Sequence, residues 1–190
     1  NIGCPADRKR QKRQIERARM WNRSKTLIAL TLASTVTTAV YAAEHKVAVF
    51  DFEFVDTSLE GAANGPRIDE KERLAWLGSE MRRRLAQSGR AEIVDVASIA
   101  GRVHARNLRT CGGCDADFAS ELGARYSITG WVQKVSNLIL NMNILVRDVG
   151  TGDVVLSKSV DMRGNTDESW SRALDWLVRR YLLAPNEGVF

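Results

Sequence analysis

One ten-residue stretch, LILNMNILVR at residues 138–147, places an apolar side chain at every second position. This period of two is typical of a β-strand that buries one face. The buried face is predicted to carry Leu138, Leu140, Met142, Ile144 and Val146. Asn141, Asn143 and Arg147 alternate with these residues and predict a polar face on the other side of the strand.

Two further strand patterns flank this stretch, at residues 125–135 and 153–161. Ser136-Asn137 predicts a tight turn on one side, and residues 148–152 predict the turn on the other. Because short turns join strands that run in opposite directions, the three strands are predicted to form an antiparallel meander.

The residues before the meander predict strands that alternate with helices. Residues 46–55 predict a strand in which Phe50, Phe52 and Phe54 share one face, and residues 57–66 predict a loop. The other predicted elements are a helix at 68–88, a short strand at 91–94, a helix at 97–106, a short helix at 115–122, and a last helix that begins near Asn165 as its capping residue.

The predicted order of elements is β-α-β-α-(α)-β-β-β-α. Two β-α units followed by a meander predict an α/β fold, with a mixed sheet of the α+β kind. Residues 43–190 are long enough to bury one core. We therefore expect a single domain that ends in the antiparallel meander and a final helix.

The first 42 residues differ in composition from the rest of the chain. Residues 20–42 combine Arg23 and Lys25, an apolar run, and small residues before Ala43, which is the anatomy of a cleaved signal peptide. The apolar run is shorter than the roughly 20 residues that a membrane span needs. We expect residues 43–190 to be a mature periplasmic domain with no stable membrane span.

Residues 1–19 fit no part of the predicted signal peptide. The chain begins with Asn1, and one interpretation is a gene start placed too far upstream of Met20, or a disordered basic leader. The alternative is a basic cytoplasmic tail before a signal anchor. Residues 43–190 hold 19 basic and 21 acidic residues, so nucleic acid is not an expected partner.

Three segments resemble a known group of periplasmic domains. Residues 47–52, VAVFDF, are similar to the opening strand of TolB amino-terminal and CsgG-like domains. Residues 121–130, ELGARYSITG, and residues 147–154, RDVGTGDV, resemble two further segments of these domains. The resemblance implies a TolB-N/CsgG-like fold and a role in the protein contacts of envelope assemblies, without catalysis.

Two other segments carry a closer resemblance. Residues 131–140, WVQKVSNLIL, and residues 163–170, RGNTDESW, resemble a family of small exported proteobacterial proteins of unknown function. That resemblance names no reaction. It implies a periplasmic protein that is accessory to an envelope complex or to an exported dehydrogenase system of the quinoprotein type.

Cys111 and Cys114 enclose two glycines and are the sharpest local motif. In an oxidising compartment we expect a structural disulfide that pins the loop. Two alternatives stay open: a thiol-disulfide carrier, in which one thiol resolves a mixed disulfide on the other, and a metal or partner site. Zinc needs about four ligands, and the only histidines of the chain are His45 and His104.

Two further groups of residues are candidate sites. Asp51, Glu53 and Asp56 lie at the end of the first predicted strand, where carboxylates could hold a cation or small ligand; solvated charge is the plainer interpretation. A candidate partner face comprises Gln133, Asn141, Asn143, Arg147, Trp131 and Trp170, although the amides could equally be the wet side of the meander and the tryptophans core residues.

Catalytic motifs are absent from the sequence. It has no G-x-S-x-G, P-loop, G-x-G-x-x-G or H-E-x-x-H pattern, so no catalytic residue, metal or cofactor is predicted. The leading hypothesis is a non-catalytic periplasmic interaction domain with a protein partner in the envelope. The alternatives are a thiol-disulfide carrier that uses Cys111 and Cys114, and a cation- or ligand-binding protein that uses Asp51 and Glu53.

Overall fold

The computed structural model describes residues 45–186 and 188–190, which include one mixed sheet of six strands. The strands are β1 (His45–Val49), β2 (Glu53–Asp56), β3 (Ala91–Ile93), β4 (Tyr126–Ser136), β5 (Ile139–Asp148) and β6 (Val154–Met162). The helices are α1 (Leu59–Asn64), α2 (Ile68–Gln87), α3 (Ala100–His104), α4 (Cys114–Glu121) and α5 (Asp167–Leu177), with a 3-10 turn at Ala97–Ile99 and a π-helical turn at Val178–Leu182. The predicted leader at 1–19 and signal peptide at 20–42 lie outside the described residues.

The sheet has the strand order β3-β1-β4-β5-β6, and β2 pairs with β4 beyond the end of β1. The pairs β1–β3, β1–β4 and β2–β4 are parallel, whereas β4–β5 and β5–β6 are antiparallel. The predicted mixed sheet, with a meander and a final helix, is therefore confirmed. The parallel strands come from the β-α part of the chain, where helices connect them.

The middle strand of the meander buries the face that its sequence predicts. Leu140, Met142, Ile144 and Val146 are at most 1% exposed. The predicted burial of Leu138 is wrong, because β5 begins at Ile139 and Leu138 lies in the turn, where it is 74% exposed.

The predicted first strand is in fact two strands, and this changes which phenylalanines share a face. Val49 pairs with Ile128, while Glu53 pairs with Trp131. Three residues lie between Val49 and Glu53, whereas only two lie between Ile128 and Trp131. One extra residue in a ladder reverses the side to which later side chains point. Phe50 consequently packs on one side of the sheet and Phe52 on the other.

A glycine in β4 makes room for that break in the first strand. A Cβ atom added at Gly130 would overlap the ring of Phe52, which is buried against the same strand. The absence of a side chain at Gly130 is thus a packing requirement of the ring, since overpacking forces side chains and backbone to shift.

Two local predictions near the helices are also wrong. The region expected to be a loop contains α1, which begins after Ser58, whose Oγ accepts a hydrogen bond from the Gly61 N–H at 3.0 Å. This helix buries none of its own residues, so it has no apolar period that could predict it. The last helix is capped by Thr166 instead of Asn165, with Thr166 Oγ1 accepting from the Ser169 N–H at 3.2 Å.

Helices cover the sheet unevenly. On one side, α2, α5 and the π-helical turn bury the larger apolar cluster, which includes Leu77, Met81 and Leu85 of α2. On the other side, α3 and α4 bury a smaller cluster with Ala48 and Phe50 of the first strand. That smaller cluster includes no described residue of β5 or β6, so this side of the meander is open except at the end where α4 contacts Ser127 and Arg147.

The contact between Gly130 and Phe52 gives a first prediction. Gly130→Ala should destabilise the protein by about 1–3 kcal/mol, because its methyl group must displace the Phe52 ring. The measurement is urea unfolding followed by circular dichroism. Gly101→Ala is the control, since a Cβ there meets no atom within 4 Å. The assignment fails if Phe52→Leu does not relieve part of the loss in the double variant.

Candidate functional site

A fully buried lysine lies where β4 meets α1 and α2. Lys134 is 0% exposed, and its Nζ lies 2.7 Å from Glu70 Oε1, 3.3 Å from Glu60 Oε2 and 3.5 Å from Asp56 Oδ2. We call these four residues and Asn165 the Lys134 cluster. A buried ammonium needs such partners, because removing a charge from water costs several kcal/mol.

The position of Lys134 follows from the alternation of β4. An even number of positions separates Ile128, Val132 and Lys134 along β4, so all three side chains point to the same side of the sheet, the side that α2 and α5 cover. The sequence does not single out Lys134 as a buried residue, because lysines are almost never fully buried. One signal was present: Lys134 is in phase with the apolar positions of its strand.

Asn165 connects the Lys134 cluster to the last helix. Its Nδ2 donates to Glu70 Oε1 at 2.6 Å, and its Oδ1 accepts from Trp170 Nε1 at 3.0 Å and from Arg73 at 3.3 Å. These bonds explain why Asn165 is not the helix cap. Glu70 Oε2 is buried and has no hydrogen-bond partner among the described residues.

The pairing shifts the acidity of the cluster. Burial by itself lowers the pKa of Lys134, but the hydrogen bonds to Glu70 and Glu60 outweigh it and the net pKa is raised. Desolvation raises the pKa of Asp56, yet the hydrogen bonds from Ser58 and the charge of Lys134 bring it below its usual value. The hydrogen bond from Lys134 also lowers the pKa of Glu60. All three groups are thus charged at neutral pH.

The structure does not bring the three predicted carboxylate ligands together. Asp51 pairs with Arg82 at 2.9 Å, and Glu53 accepts a hydrogen bond from the Leu108 N–H at 2.6 Å. Asp56 belongs to the Lys134 cluster. Within the described residues, no group of three or more His, Cys, Asp and Glu side chains could hold a metal ion. The break between β1 and β2 sends these carboxylates to different partners. Binding of a cation or small ligand by any of them stays a prediction.

Four of the predicted partner-face residues lie side by side on the open side of the meander. Trp131 pairs with Asn143 across β4 and β5, and Gln133 pairs with Asn141. Asn143 Nδ2 donates to Asn141 Oδ1 at 2.7 Å. We define the open sheet face as these residues with their β6 neighbours: Trp131, Gln133, Asn141, Asn143, Ser157, Ser159 and Asp161.

Two of the predicted partner-face residues lie elsewhere. Trp170 is 0% exposed and belongs to the core on the helical side, so it is not part of an exposed face. Arg147 lies on the open side of the sheet but at the far end, where its Nε is 3.3 Å from the buried Asp115 carboxylate and its Nη1 donates to Gly152 O at 2.7 Å. Those bonds hold Arg147 against α4.

Cys111 and Cys114 lie within disulfide-bonding distance, with Cα atoms 5.7 Å apart. Cys114 begins α4, and Cys111 lies in the preceding loop. The same loop donates the Leu108 N–H to Glu53, whose strand position is directly beside Trp131. The loop therefore borders the open sheet face. A structural or a redox role for the pair stays a prediction.

The buried pair of Lys134 and Glu70 gives the second prediction. Lys134→Met should cost about 3–5 kcal/mol, because it leaves the Glu70 carboxylate buried without its cation. Replacing both, Lys134→Met with Glu70→Leu, should recover part of that loss. Urea unfolding measures both, and Lys71→Met, an exposed lysine on α2, is the control. A single variant within about 1 kcal/mol of the wild type would contradict the assignment.

The third prediction concerns pH. Asp56 and Glu60 have pKa values below their ordinary 3.8 and 4.5, so their stabilisation is present above those values and is lost as the pH falls through the lowered pKa. Because the pKa of Lys134 is raised, the stabilisation that its charge contributes is lost only at pH values above 10.5. We expect a level urea midpoint between about pH 5 and pH 9 and a fall below about pH 4. An acid slope unchanged in the Lys134→Met, Glu70→Leu variant would contradict this.

Comparisons with known proteins give a family and distant structural neighbours. No curated protein matches the chain. The LpoB C-terminal domain from Salmonella enterica matches 74% of this chain and 91% of its own length, at 16% identity and a TM-score of 0.45. Lipoprotein GNA1162 from Neisseria meningitidis matches 70% and 93%, at 13% identity and a TM-score of 0.44.

TolB from Acinetobacter baumannii matches 64% of this chain but 24% of its own length, at 16% identity and a TM-score of 0.36. At these identities the partners of such proteins do not carry over to this chain. Among the described residues, no helix is both long and apolar enough to cross a membrane. The predicted membership of a family of unknown function is confirmed: the chain belongs to the DUF3280 family, described as a protein of unknown function (DUF2380), whose model matches residues 45–182.

Proposed function

We propose that this chain is a non-catalytic periplasmic interaction domain that binds an envelope protein through the open sheet face. The observation that carries the proposal is the uneven cover of the sheet. On the helical side, α2 and α5 bury the meander, whereas on the opposite side the smaller apolar cluster reaches no described residue of β5 or β6. A large sheet surface with one aromatic residue and several amides is thereby left accessible.

The uncharged side chains at the centre of the open sheet face fit a partner surface that is also uncharged. The centre of the face combines the Trp131 ring with the side-chain amides of Gln133, Asn141 and Asn143. Among the seven residues that define the face, Asp161 at the edge of the sheet has the only ionisable side chain, and the neighbouring Glu53 is bonded to the Leu108 N–H. Amides donate and accept hydrogen bonds, and tryptophan supplies apolar contact area. This composition fits a polypeptide surface rich in uncharged hydrogen-bonding groups.

The absence of catalysis is part of the same proposal. The charged residues of the Lys134 cluster bind one another, and Lys134 itself is fully buried, so its ammonium cannot reach a substrate in solvent. The periplasmic location follows from the predicted signal peptide. An accessory role for an exported dehydrogenase of the quinoprotein type is one assignment that would fit, and a thiol-disulfide carrier is the alternative.

Site-specific photo-crosslinking in the native host tests the proposal. A photoreactive phenylalanine at Gln133 or Asn143 should give a discrete adduct with one protein, because both side chains lie on the open sheet face. The same label at Glu168, which is exposed on the helical side, is the control. Adducts are detected by gel shift and identified by mass spectrometry.

A charge placed on the face separates docking from chance proximity. Ser159→Arg adds a cation beside Asn143 at an exposed position and should reduce the adduct by about tenfold. Ser79→Arg, at an exposed position of α2, should leave the adduct unchanged. The proposal is wrong if Gln133 and Asn143 give no adduct, or if Glu168 gives the same one.

A further inference from the structure

A groove of about 500 Å³ lies between α2 and the first turns of α5, on the helical side of the sheet. Arg73 and the buried Trp170 line it, and Trp76, which is 38% exposed, lines it from α2. Three carboxylates, those of Asp69, Glu72 and Asp167, complete the main lining. The groove thus combines an aromatic surface with more negative than positive charge.

The cation that lines the groove, Arg73, already has several partners within the protein. Arg73 lies 3.1 Å from Asp69 and 2.6 Å from Asp167, and it donates to Asn165 Oδ1 at 3.3 Å. Its guanidinium also lies 5.9 Å from the centre of the Trp170 ring. Because two carboxylates already neutralise its charge, Arg73 gives the groove little attraction for an anionic ligand.

Two further residues of the groove, Glu72 and Trp76, take part in none of the contacts of Arg73 described above. They are four positions apart on α2, so they lie on the same face of the helix. Both are exposed, and Glu72 has no hydrogen-bond or ion-pair partner among the described residues. An unpaired carboxylate beside an accessible indole ring is the combination that attracts a planar cation.

We propose that this groove binds an arginine side chain from a basic segment of a partner protein. The guanidinium stacks on Trp76 and pairs with Glu72, while the bonds that already hold Arg73 stay in place. The groove and the open sheet face lie on opposite sides of the sheet, so the two proposals are independent. The charge of Glu72 favours a cation, since the Asp69 carboxylate is already paired with Arg67 and Arg73, and the Asp167 carboxylate is paired with Arg73.

Calorimetric titration of the full chain with N-acetyl-triarginine amide tests this proposal. We expect saturable binding that weakens by about fivefold or more in Trp76→Ala and in Glu72→Gln. Trp176→Ala and Glu92→Gln remove an exposed tryptophan near the end of α5 and an exposed glutamate on β3, neither of which lines the groove, and both should bind as the wild type does. Circular dichroism establishes that each variant is folded.

Two further measurements keep the outcome decisive. Glu72→Lys keeps the exposed helix position and reverses the charge, so it should abolish binding even if Trp76→Ala fails to fold. N-acetyl-trialanine amide should not bind detectably. The proposal is overturned if triarginine does not bind, if Trp176→Ala weakens binding as much as Trp76→Ala, or if the neutral peptide binds equally well.

Discussion

The ammonium of Lys134 imposes the strictest constraint on this fold. A charge with no access to water must have partners at hydrogen-bonding distance, and those partners come from three other parts of the chain. Glu70 comes from α2, Glu60 from α1, and Asp56 from the end of β2. Asn165, from the segment before α5, donates a hydrogen bond to the carboxylate of Glu70. The end of the β4–β5 hairpin can therefore take only one position against the helices.

A second constraint determines what each side of the sheet can do. The extra residue between β1 and β2 directs Phe50 to the core beneath α3 and α4 and Phe52 to the core beneath α2 and α5. Gly130 leaves the space that the Phe52 ring requires. The sheet thus has a core on both sides where β1 and the start of β4 lie, but on one side only along the meander.

The two proposed binding surfaces follow from this asymmetry and differ in chemistry. The open sheet face is neutral at its centre and bordered by the loop of Cys111, whereas the groove between α2 and α5 is acidic and aromatic. A hydrogen-bond path through Arg73, Asn165 and Glu70 joins the groove to Lys134. The groove wall is thereby held by the same bonds that hold the hairpin, which keeps the site preformed.

The sequence alone is enough to predict the fold class, the meander, the helix at α2 and the buried face of β5, because each depends on a local period or a short turn. It also placed Trp131, Gln133, Asn141 and Asn143 on one side of the sheet. The three-dimensional contacts were needed to identify the partners of the buried Lys134, the capping role of Thr166 and the separation of Asp51, Glu53 and Asp56. These features depend on one extra residue in a strand and on partners distant in the chain, and the period of a strand or helix specifies neither.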